Sequence, residues 1–144
     1  MKKSTVLEII VSLLVMLFLY ASVSKLLDLE ESREQMSKSP FITGYANFLA
    51  LMVPVSEIVI SVLLLIKRTR IIGLYASFCI MLAFTIYIYM MLHYSSYLPC
   101  SCGGVLALMS WEQHFWFNVV FVLIALAGIL IHSRGERHVE AAKA

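Results

Sequence analysis

Two cysteines one residue apart, Cys100 and Cys102, lie between Pro99 and the pair Gly103, Gly104. Thiols this close form and exchange a disulfide when they face an oxidising compartment. The glycines remove side chains that would keep a partner backbone away. A static staple is the competing reading, but so small a loop gains little from closure, because disulfide stabilisation grows with loop length. A second constellation is ionic. Glu57 stands inside an apolar run, three residues after Pro54, and Lys25 closes another such run. A carboxyl group at that depth marks a functional site facing the interior of a bundle. Lys25 has three readings: snorkelling to the interface, lowering a nearby thiol pKa, or pairing with Glu57 or Asp28. For Glu57 the bland alternative is a hydrogen bond to Ser22, Ser24 or Asn118.

A third set is metal-like: His93 and His114 bracket the cysteine segment and would join Cys100 and Cys102 as ligands for a soft metal such as copper or zinc, with Met90, Met91 or Met109 as thioethers. Its spacing fits no standard zinc pattern. The lone Cys79 reads as a small core residue, and Gly73 with Ser77 as a small-xxx-small packing stripe. The acidic group Asp28, Glu30, Glu31 and Glu34 reads as a solvated face or a partner-docking surface, carried on a short surface helix with Arg33 and Lys38. Phosphate-binding loops, GxSxG elbows and HExxH motifs are missing from the sequence.

These groups must be positioned by membrane helices. Of the 144 residues, 61% are hydrophobic and 14% charged, with a mean hydropathy of +0.90, which excludes a water-soluble globule and a disordered chain. A net charge of +2, with its cations dispersed, gives no basic face for nucleic acid. Four stretches approach the roughly 20 apolar residues that a span requires: 6–27, 48–66, 71–92 and 115–131. The expected fold is therefore all-α, a single polytopic domain over 1–144 built as a four-transmembrane-helix bundle. The first run exceeds the about 7 to 15 residues of a secretory core and reads as a retained anchor. With the N-terminus inside, Lys2, Lys3, Lys67, Arg68, Arg70, Arg134, Arg137 and Lys143 are cytoplasmic, against Lys25, Arg33 and Lys38 outside. That bias predicts both termini in the cytoplasm and the cysteines on the opposite side. Tyr89, Tyr94, Tyr97, Trp111 and Trp116 make an aromatic belt there. Ser110 with Gln113 fits a capping box that starts the last helix near Trp111, and the polar tail 132–144 reads as frayed.

Tyr20-Ala21-Ser22-Val23-Ser24-Lys25, Pro54-Val55-Ser56-Glu57 and Cys100-Ser101-Cys102-Gly103 together resemble the MauE and DoxX-like membrane proteins, in order and over nearly the whole chain. The resemblance implies a four-helix bundle of a bacterial inner membrane with its cysteine loop in the periplasm, associated with redox chemistry. For the methylamine-utilisation members it implies a thioredoxin-like partner that helps oxidise the cysteines of an exported enzyme. Carried over residue by residue, Cys100 and Cys102 are the redox pair, and Lys25 and Glu57 the polar pair inside the bundle. Gly103 followed by Gly104 departs from the bulky aromatic that those members place before the closing glycine, which bears on partner choice. The expected function is a thiol-disulfide relay. Cys100 attacks a partner's disulfide, Cys102 resolves it, and equivalents pass to an exported or thioredoxin-like protein or to a membrane quinone near Glu57. The alternatives are a non-enzymatic subunit of a larger membrane or export complex, and the metal module.

Overall fold

A computed structural model describes residues 2–94 and 109–144. Four long helices carry the chain: α1 (Lys3–Leu27), α3 (Ala46–Leu65), α4 (Arg70–Tyr94) and α5 (Trp111–Lys143), with a short α2 (Leu29–Ser37) and a 3-10 turn at Thr43–Tyr45 between the first two. All four long helices are apolar and long enough to cross a membrane. Helix is the form such segments must take in hydrocarbon, because it satisfies the backbone within the segment. The expected surface helix in the first loop is present as α2, tied along its exposed side by Arg33 to Glu30 at 3.2 Å and Lys38 to Glu34 at 2.6 Å.

Side-chain hydrogen bonds set two of the helix ends. At the start of α5 the capping box is complete: the Gln113 N–H donates to Ser110 Oγ at 3.2 Å and the Ser110 N–H to Gln113 Oε1 at 3.1 Å. Between α3 and α4, Arg70 donates from Nε to the Leu64 carbonyl at 3.1 Å, satisfying one of the carbonyls that a helix C-terminus leaves open. Its guanidinium also reaches Glu8 Oε1 at 2.7 Å, so the beginnings of α1 and α4 lie at the same end of the bundle. The expected frayed tail is corrected: α5 runs unbroken to Lys143. Arg, Glu, Ala and Lys in that stretch are good helix formers, and His132 approaches Glu136 at 3.9 Å one turn on. At 1.5 Å per residue a helix of 33 residues is about 50 Å long, well beyond the roughly 30 Å of hydrocarbon, so its last turns project past the bilayer.

The tightest pairings are α1 with α3 and α4 with α5. One apolar core, including Leu14, Phe18, Leu64, Leu74, Met81 and Ala125, fills the bundle, and a smaller cluster of Met36, Ala46 and Ala50 seats α2 on α3. Gly73 has the packing role expected of it: a Cβ there would lie 2.9 Å from the backbone N of Leu64, so the α3–α4 hairpin closes only over glycine. Ser77 turns its hydroxyl back to the Gly73 carbonyl at 2.7 Å. Cys79, expected in the core, is instead exposed on the outer face of α4. Lipid is as apolar as a protein interior, so hydropathy does not separate the two faces of a spanning helix.

Candidate functional site

Polar residues mark the inside of this bundle. Ser22, Ser61, Ser77, Thr85 and Asn118 are all buried, and the first four return their hydroxyls to carbonyls of their own helices. Lys25 and Glu57 are the decisive pair. Lys25 Nζ lies 2.6 Å from Glu57 Oε1, with the residues 6% and 1% exposed. This corrects both the snorkelling lysine and the Glu57 hydrogen bond to a serine or Asn118. The reason is directional: each Cα–Cβ bond leans toward the N-terminus of its own helix, and α1 and α3 run antiparallel. The Lys25 stem therefore runs back from the C-terminal end of α1 while the Glu57 side chain leans toward it from the middle of α3, and they meet. The Lys25 ammonium also sits 5.2 Å from the centroid of the Phe84 ring, a cation–π distance.

The pair borders a cavity of about 320 Å³, at the small end of the range for ligand sites. Each spanning helix lines it with one stripe: Leu17, Phe18, Ala21 and Lys25 from α1; Leu49, Val53 and Glu57 from α3; Met81, Phe84, Tyr87 and Ile88 from α4; His114, Phe117 and Asn118 from α5. Met36 and Ile42 add the wall contributed by α2 and the turn that follows it. Pro54 leaves α3 continuous and is itself buried. Ser39 anchors the segment after α2, since Tyr87 Oη donates to Ser39 Oγ at 2.9 Å and that hydroxyl donates to Met91 Sδ at 3.7 Å. Thr43 donates to the Ser39 carbonyl.

Two buried polar atoms on this cavity's lining residues have no hydrogen-bond partner among the described residues: Glu57 Oε2 and Asn118 Nδ2. An unmet buried group costs about 1–3 kcal/mol, so these two atoms are open to a partner beyond the described residues.

His93 and His114 behave differently. His114, in the first turn of α5, is buried and lines the cavity. His93 is exposed, stacks on Tyr89 with centroids 4.2 Å apart, and directs Nδ1 to the Tyr89 carbonyl at 3.0 Å. Among the described residues no group of three or more His, Cys, Asp or Glu is close enough to hold a metal. Cys100 and Cys102, with Pro99, Gly103, Gly104 and Tyr97, lie outside the described residues. Tyr87, Phe84, Phe117, Met36, Ile42 and Ser39 were not singled out from the sequence. In a chain this rich in aromatic and apolar residues, only their shared cavity distinguishes them.

Residues 3–131 match the family model described as methylamine utilisation protein MauE. No curated protein and no solved structure matches the chain. The match spans most of the 144 residues, and the chain belongs to the MauE family.

Proposed function

We propose that this MauE-family membrane protein is an accessory redox protein that relays disulfide equivalents through Cys100 and Cys102 to an exported or thioredoxin-like partner on the non-cytoplasmic side of a bacterial inner membrane. The sidedness rests on the positive-inside bias. In the exchange a thiolate attacks one sulfur of a disulfide and expels the other as thiolate, so a mixed disulfide forms and then resolves. Cys100 makes the inter-protein bond and Cys102 displaces it, leaving Cys100 and Cys102 bridged and the partner reduced; the same steps reversed oxidise the partner.

The observation that supports this reading is the site at the two helix ends that the cysteine segment connects in sequence. Residues 95–110 join the end of α4 to the start of α5, and the last turns of α4 and the first turns of α5 supply Ile88, His114 and Asn118 to the same cavity as the Lys25–Glu57 pair. A scaffold gains nothing obvious from that pair, since apolar replacement of a buried ion pair is often neutral or stabilising. A protein that handles protons and electrons has a use for it.

Trapping tests the reading. With Cys102→Ser the inter-protein disulfide cannot resolve, so a reductant-sensitive adduct accumulates on non-reducing gels, whereas Cys100→Ser gives none. Absence of an adduct from both variants, with full biological activity retained by the double variant, contradicts it.

A further inference from the structure

The cavity has chemistry beyond shape. Its walls are mostly apolar and aromatic, with Phe18, Phe84, Phe117 and Tyr87 among them, and its lining residues Glu57 and Asn118 carry two atoms unpartnered among the described residues: a carboxylate oxygen that needs a donor, and an amide nitrogen that needs an acceptor. An acyl chain would fill the volume and leave both unmet. A ligand that completes the site is a lipid-soluble ring whose oxygens both donate and accept.

We infer that the cavity between Lys25, Glu57, Phe84, Phe117 and Asn118 binds the ring of a membrane quinone and favours its reduced, hydroxyl-bearing form. A quinol O–H donates to Glu57 Oε2 and a quinol oxygen accepts from Asn118 Nδ2. A quinone has only carbonyl oxygens, which serve Asn118 and leave the Glu57 oxygen unpaired. Preference for the reduced form raises the potential of the bound couple, by about 30 mV per tenfold difference in affinity for a two-electron couple, and makes the bound quinone the stronger oxidant.

This inference deepens the relay reading and rests on it for its consequence. The Cys100 and Cys102 dithiol gives two electrons and two protons, its two S–H bonds are replaced by one S–S bond, and the quinone carbonyl oxygens become the hydroxyls of the quinol. The relay would then run toward oxidation of the partner.

The test measures binding apart from turnover. Full-length protein carrying Cys100→Ser and Cys102→Ser, purified in detergent, is titrated calorimetrically with decylubiquinone and, anaerobically, with its quinol. Saturable binding at one site per chain is expected, with the quinol at least about tenfold tighter. Asn118→Leu weakens both forms, and Lys25→Met with Glu57→Leu brings the two affinities together. A helical circular dichroism spectrum establishes that each variant is folded; if the double replacement does not fold, Asn118→Leu and the two-form comparison decide. Absence of saturable binding, a tighter quinone, or displacement of the quinol by equimolar dodecanol overturns the inference. Because the cysteines are absent, none of these outcomes bears on the relay, and failure of the cysteine pair to exchange would leave this binding result standing.

Discussion

Lys25 and Glu57 are 32 positions apart in sequence and 2.6 Å apart in space, buried together between antiparallel helices. The pair couples the C-terminal end of α1 to the middle of α3, and each charge depends on the other for compensation.

Removing one partner is therefore far worse than removing both. Lys25→Met or Glu57→Leu leaves an uncompensated charge and should cost about 3–5 kcal/mol, whereas the double replacement is neutral to stabilising. Thermal unfolding in detergent, followed by helical circular dichroism, checks the order. The relay adds a second expectation, that the double variant is stable yet fails to support oxidation of the partner. A double variant that is both stable and fully active would make the pair structural only.

Two glycines should respond in opposite ways to the same change. Gly73→Ala drives a methyl group into the backbone of Leu64 and should cost about 1–3 kcal/mol as an overpacked contact. Gly135, in the projecting part of α5, has nothing within 4 Å of an added Cβ, so Gly135→Ala should strengthen that helix by roughly 0.5–1 kcal/mol. Thermal melts report the first, and slowed amide hydrogen exchange over residues 132–143 reports the second.

On the exposed side of α2, the Lys38 side chain hydrogen-bonds Glu34 and its charge adds to the effect, holding the Glu34 carboxyl below its usual pKa. A lowered folded-state pKa means that the contribution is present above the unfolded pKa and fades as pH falls through the lower folded value. Because the pair is in water its weight is small. Lys38→Ala should return Glu34 to the ordinary carboxylate range in a carbon-detected NMR titration, with the melting temperature at neutral pH unchanged.

The spans were legible because crossing a bilayer demands a long apolar run, and the capping box placed the start of α5 because Ser and Gln at that spacing satisfy the same open N–H groups in any helix. Facing was not legible from hydropathy. Cys79 looked like core because both lipid and protein interior accept it, and Phe84 and Phe117 looked like any lipid-facing aromatic. The better guide was polarity: Glu57 stood out inside its span, Lys25 at the end of its own and Asn118 as a partner offered to Glu57, and all three border the cavity. The Lys25–Glu57 pairing stood among the readings of Lys25 and in the family resemblance, and the structure bears it out; composition alone left it level with snorkelling, since the choice depends on the antiparallel placement of α1 against α3 and on the lean of each side chain.

The most direct measurement is a redox titration of Cys100 and Cys102 in membranes, in a Cys79→Ser background, equilibrated against glutathione buffers and read by the mass shift on thiol alkylation. For a relay pair the expected result is a reversible two-electron transition at a potential above the roughly −300 mV of structural disulfides. A pair that remains oxidised under strong reduction, or that never oxidises, would contradict the relay.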